Sequence, residues 1–145
     1  MLRGNHPATI DSKGRLKIPA AFLDALKESG EEYFVTSEKG DVAWIYPMKE
    51  WQAIEERLAK LSAHHEAKQK FLNRTSFYGQ EQKLDAQGRV LIPAILRDAA
   101  QMKGEVVVIG KLTRLEVWNR QRFMEMMNNN PITPDDEKIL DSLGI

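Results

Sequence analysis

Two arginines in this chain each stand four residues after an aspartate and directly after a glycine, in Asp11-Ser12-Lys13-Gly14-Arg15 and Asp85-Ala86-Gln87-Gly88-Arg89. Arginine keeps its charge and offers five N–H donors in a planar fork, which suits paired contacts with phosphate oxygens or with the O6/N7 edge of guanine. An aspartate at this spacing can accept backbone N–H groups across a tight turn, and the glycine can take positive φ. Asp11, Gly14, Asp85, Gly88 and Arg89 are therefore read as turn-organising residues. Lys13 and Lys17 flank Arg15, and the alternation of Lys17 with Leu16 and Ile18 puts its ammonium on the polar face of a strand. The second copy has Gln87 and Leu91 in those places, so it is the poorer anion binder and the better packing surface. A plainer role stays open: each aspartate pairs with its arginine only to stiffen the turn. The two roles are compatible, because a carboxylate can orient a guanidinium that makes an external contact.

Other chemistries find little support. His64 and His65 are adjacent in a polar helical stretch and do not share a helix face, so they are not an i,i+4 ligand pair. His6 is isolated, and there is no P-loop, dinucleotide fingerprint or nucleophile elbow. With no cysteine, neither a disulfide nor a thiolate metal site can form. The expectation is a protein that is not an enzyme and uses no metal or cofactor.

The elements that carry the two turns are themselves repeated. Asp11–Ala20 and Asp85–Ala94 share six identities in ten positions. Around each, the same order recurs: a short strand (Ala8–Ile10; Lys83-Leu84), the turn, a strand (Leu16–Ile18; Val90–Ile92), and a proline (Pro19; Pro93) that ends the strand and opens a helix. The helices carry Phe22, Leu23 and Leu26 in one copy and Ile95, Leu96 and Ala99 in the other, closed by Gly30 and Gly104. Two strands follow in each, Tyr33–Thr36 with Val42–Tyr46, and Val106–Ile109 with Leu115–Trp118. Shared order and spacing mark a duplicated supersecondary unit. Each copy ends in an amphipathic helix. One carries Trp51, Ile54, Leu58 and Leu61 and extends to Phe71 and Leu72; the other is capped by Asn119 and carries Phe123, Met126 and Met127, stripes read as core packing. Thr133-Pro134-Asp135-Asp136 predicts a short terminal helix over Pro134–Leu143. The units are placed at residues 1–72 and 73–127, with a tail at 128–145.

At 145 residues the chain is the size of one domain, and either half alone is too small for a robust core, so sharing is expected between the halves or between subunits. No apolar run approaches the roughly twenty residues of a membrane span, and the expected setting is the cytoplasm. Lysine plus arginine balance aspartate plus glutamate at 21 each, which argues against a globally basic nucleic-acid binder. The distribution is uneven: Arg3, Lys13, Arg15 and Lys17 face Asp11 alone within residues 1–20, while Glu28, Glu31, Glu32, Glu38 and Asp41 gather around Lys39.

Met1-Leu2-Arg3-Gly4, the two ten-residue blocks, Ile45-Tyr46-Pro47 followed by Trp51, Asn73-Arg74 and Leu115–Trp118 together resemble the MraZ family, bacterial transcriptional regulators of the division and cell-wall gene cluster. The resemblance covers roughly residues 1–125. It implies a mainly β fold with α (α+β), built as a duplicated AbrB/SpoVT-like swapped-hairpin β-barrel unit with flanking helices. It also implies a ring-shaped homo-oligomer, association with the nucleoid, and binding to short direct repeats in double-stranded promoter DNA, most simply as a repressor. The family's Asp-x-x-x-Arg signature falls on Asp11 and Arg15 and on Asp85 and Arg89. DNA contacts are then expected from Arg3, Lys13, Arg15 and Lys17, and a structural role from Arg89. The competing reading is a non-catalytic assembly protein whose duplicated turns serve oligomerisation alone.

Overall fold

The computed structural model describes residues 1–145. In the first copy, β1 (Leu2–Thr9) leads through the Asp11 turn into β2 (Arg15–Lys17), α1 (Ala20–Glu28), β3 (Glu32–Thr36), β4 (Ala43–Pro47) and α2 (Met48–Leu58). After α3 (Glu66–Phe77) the second copy runs β5 (Gln80–Lys83), β6 (Arg89–Leu91), α4 (Ala94–Ala99), β7 (Glu105–Leu112), β8 (Leu115–Asn119) and α5 (Arg120–Asn129), with α6 (Pro134–Ser142) last. The chain is thus a mixed α+β protein of eight strands and six helices. Position 72, the sequence-based end of the first unit, falls inside α3.

Pairing runs across the duplication. One antiparallel sheet has the order β1-β7-β8-β4-β3-β5, and β2 and β6 form a separate two-stranded ribbon. The first strand of each copy therefore lies against the other copy's hairpin, β1 on β7 and β5 on β3. The exchange takes place within one chain. The hydrogen-bonded ladder is an open sheet with β1 and β5 as its edges, and the ribbon meets it through a bridge between Ile10 and Leu16.

One cluster of nineteen buried residues serves both copies. Leu16, Ile18, Val90 and Ile92 come from the ribbon and its exits, Phe22, Leu26 and Leu96 from α1 and α4, and Val35, Ile45, Val108 and Val117 from the sheet. Such shared burial supplies what either half lacks alone. The other sheet face carries Phe34, Trp44, Tyr46 and Trp118 in a second, aromatic layer. Trp51 of α2 packs on Phe34 and Tyr46 at centroid distances of 4.8 and 5.2 Å, Phe71 of α3 stacks on Trp51, and Phe123 of α5 meets Trp118. Here Glu116 is buried, with one carboxylate oxygen taking the Arg114 guanidinium at 2.6 Å and the other the Trp118 indole N–H at 3.0 Å. Arg114 also lies over the Trp44 ring, 5.2 Å from its centroid. Removing the acid strands a half-buried guanidinium, so Glu116→Ala is expected to cost about 2 kcal/mol, below the usual cost of breaking a fully buried pair because Arg114 keeps some solvent. Urea denaturation measures it.

Several elements differ from their sequence-based bounds. β1 starts at Leu2 rather than Ala8: Gly4, Asn5 and Pro7 read as loop, but an edge strand tolerates proline, and eight residue pairs with β7 hold it extended. The amphipathic stretch from Trp51 to Leu72 is two helices. Its break at Ala59–His65 is masked by Leu61, which keeps the apolar spacing while lying exposed. His65 caps α3, its Nδ1 accepting the Ala67 N–H at 3.1 Å. α4 ends at Ala99, well short of Gly104, because Gln101 already takes φ 52°. Asn119 caps α5 as expected, but Met127 of the expected core stripe is exposed and no residue of that helix is buried. The terminal helix forms with a full capping box, Thr133 and Asp136 exchanging bonds.

Candidate nucleic-acid interface

The two turns are built alike, atom for atom. Asp11 Oδ1 accepts the backbone N–H groups of Lys13 and Arg15 at 3.0 and 2.9 Å, and Oδ2 accepts Arg15 Nε at 2.8 Å. Asp85 does the same for Gln87, Arg89 and Arg89 Nε at 2.9, 2.9 and 2.7 Å. Gly14 and Gly88 close the turns with φ of 87° and 72°, a region where a Cβ is strained. The ends interlock reciprocally: Ile18 N–H donates to Gly88 O, and Ile92 N–H to Gly14 O.

Each guanidinium is held through Nε, and its two Nη groups take no partner in the protein. The aspartate thus orients the fork and leaves its outer donors free. The anchored Nε and the unpartnered Nη groups belong to one side chain.

The ribbon register decides which side chains stand together. Arg15 pairs with Leu91, Leu16 with Val90 and Lys17 with Arg89. Leu16 and Val90 point inward and are buried, so Arg15, Lys17, Arg89 and Leu91 share the outward face. Arg89 therefore stands beside Lys17, with its side chain 25% exposed against 35% for Arg15. Its Nε is paired with Asp85 Oδ2 at 2.7 Å. Lys13 lies exposed at the tip of the first turn. Arg3 is elsewhere: it pairs with Lys111 near the far end of β1, and eight extended residues put it about 26 Å from Asp11. Sequence reasoning missed Gln82, whose amide bonds both the N–H and the C=O of Leu91 at 2.6 and 2.7 Å and fixes the second strand of the ribbon to β5. Its pattern, a polar residue inside a short strand, carries no distinguishing signal.

Both aspartates are held below the ordinary carboxylate value of 3.8. For Asp11 the backbone N–H of Arg15 contributes most; for Asp85 desolvation is the largest influence and opposes the shift, but the bonds from Arg89 and Gln87 outweigh it. A lowered folded pKa stabilises above the unfolded value and is lost as pH falls through the folded one. Turn order is therefore expected to hold down to about pH 4 and fade below it. Melting curves over that range follow it, and a D11N, D85N double variant should have a flatter acid limb than the parent.

A matched pair of oriented, outward-facing guanidinium groups on a two-stranded ribbon, carried by two interleaved copies of one unit, defines a duplicated α+β protein with a cationic display surface. The chain belongs to the MraZ family. The family described as "MraZ protein, putative antitoxin-like" matches residues 1–74 and 78–141, one stretch for each copy. The second stretch takes in α5 and most of α6, beyond the reach of the motif resemblance. The chain is 49% identical to the transcriptional regulator MraZ of Acidobacterium capsulatum and 46% identical to that of Koribacter versatilis, each over the full length of both proteins. It is 37% identical to the transcriptional regulator MraZ of Caldicellulosiruptor bescii, again over the whole of both. It is thus a member of a family of transcriptional regulators. No helix is long and apolar enough to cross a membrane.

Proposed function

We propose that the chain regulates transcription by binding double-stranded promoter DNA through the ribbon, with Lys13, Arg15 and Lys17 as the main contacts and Arg89 beside them. The observation that carries this reading is the Nε-anchored pair Arg15 and Arg89, with free outer donors, on one outward face. A two-stranded ribbon fits the major groove of B-DNA, where an arginine fork matches guanine, while the lysines suit phosphates. Arg3 joins as an outlying backbone contact with a smaller share of the affinity.

One ribbon offers few contacts, so useful affinity comes from several chains engaging successive short direct repeats, which act through effective concentration. Met127 and Ile139 on the terminal helices, and Leu143 just after the last of them, are exposed and supply apolar surface for such a ring. Repression follows where the bound assembly obstructs polymerase near the division and cell-wall genes, and nucleoid association follows from the binding itself. Footprinting on the region upstream of the chain's own coding sequence, with mass measurement of the complex, tests target, spacing and stoichiometry together. Protection no better than on scrambled DNA returns the ribbon to a purely structural role.

A further inference from the structure

Arg97 and Leu23 are related by the same 74-residue offset that relates Asp85 to Asp11, yet they meet the two turns differently. Leu23 packs over Gly88, 3.3 Å from the point where a Cβ would stand. Arg97 lies over Gly14, its guanidinium filling the space that a Cβ would need. One arm is fixed, since Nη1 donates to the Ile92 carbonyl at 2.6 Å. No carboxylate forms an ion pair with it, and the nearby Asp11 already holds Arg15 and two backbone N–H groups.

Arg97 borders a cleft of about 250 Å³ beside the first turn, together with Asp11, Ser12 and Lys103. Its two cations face one committed acid. The matching cleft at the second turn has Lys27 and Lys83 against Glu31 and Asp85, a balanced set. The pseudo-symmetric halves therefore differ in charge at the same place in the fold.

We infer that Arg97, Lys103 and the Ser12 hydroxyl form a phosphate-binding notch that takes a backbone phosphate of the DNA flanking the ribbon, and so makes the first turn the stronger of the two contacts. This rests on the ribbon reading and adds to it a contact from the second copy's helix. An arginine fixed by one arm keeps its remaining donors preorganised for an oxyanion. Each phosphate so neutralised releases counterions and steepens the salt dependence of binding by about one unit.

The test is fluorescence anisotropy of the full-length protein over a salt series, with a labelled duplex from upstream of its own coding region. Arg97→Leu copies the packing of Leu23. It is expected to bind roughly 10-fold more weakly, with the salt slope reduced by about 0.9, and with melting temperature and oligomer size unchanged. Lys103→Gln should shift affinity and slope the same way by less. Unchanged affinity and slope in Arg97→Leu, while Arg15→Ala loses binding, overturns the notch and leaves the ribbon standing. Parental affinity in Arg15→Ala removes the ribbon reading and the notch with it. Should Arg97→Leu melt early, Arg97→Gln decides, because its amide keeps a donor for Ile92 without the charge: a reduced slope supports the notch and a parental slope overturns it.

Discussion

Arg15→Ala is expected to weaken binding to the promoter duplex by roughly 10- to 100-fold at fixed salt, with fold and assembly intact. The size follows from what the side chain does. Its Nε bond to Asp11 is exposed, a setting in which an ion pair contributes little to stability. Its outer donors have no partner within the protein, so their removal costs nothing until a partner is bound. Loss of a good bidentate base contact costs about 1–3 kcal/mol, whereas a lost phosphate contact weakens all sequences alike. A panel of base-substituted duplexes therefore separates the two: relaxed discrimination at one position means that Arg15 reads a base. Arg89→Ala should produce a smaller loss, because its side chain is less exposed than that of Arg15 and its turn has Gln87 where the first has Lys13. Gel-shift affinity equal to the parent for Arg15→Ala would sink the ribbon as the reading surface.

Leu16→Ala is expected to cost about 3 kcal/mol, a large part of the 5–15 kcal/mol typical of a domain. Leu16 is wholly buried and sits opposite Val90, where ribbon, sheet and both short helices meet in one core. The site has little freedom to collapse, since its neighbours are held by the reciprocal Ile18–Gly88 and Ile92–Gly14 bonds. Urea denaturation is the measurement, and the loss should appear in the midpoint with the slope nearly unchanged. Leu91→Ala is the control: half-buried on the outward face, it should cost under about 1 kcal/mol.

Much of this is legible in the sequence, because the signals are local. Pro19 and Pro93 mark strand-to-helix junctions, alternating Leu16-Lys17-Ile18 marks a strand with one polar face, and Asp11 with Gly14 marks the turn. Pairing partners are not local. Nothing in Leu2–Thr9 says that its ladder partner is β7, and without that partner Gly4 and Pro7 read as loop. The same limit hid the outward placement of Arg89, which depends on ribbon register rather than on its own neighbours. Arg97 lay outside the ten-residue block where the copies are easily compared, so its contrast with Leu23 emerges only when both are seen over their glycines. The apolar stripe of α5 shows a related limit. Periodicity shows that a helix has an apolar face, but not how deeply it is buried: Phe123 packs on Trp118 while Met127 lies exposed.

Strand exchange across the duplication also sets the order of events during synthesis. β1 leaves the ribosome well before β7, yet Leu2 pairs with Leu112 and Thr9 with Glu105. At 5–20 residues per second the nascent first half waits roughly 5–20 s for that partner. Throughout that interval an unpaired edge and the apolar side of β2 are open to wrong neighbours. Lys13, Arg15 and Lys17 cluster on this waiting segment. Like charges there disfavour strand pairing between nascent chains, so the residues proposed to hold DNA in the finished protein also guard its unfinished form.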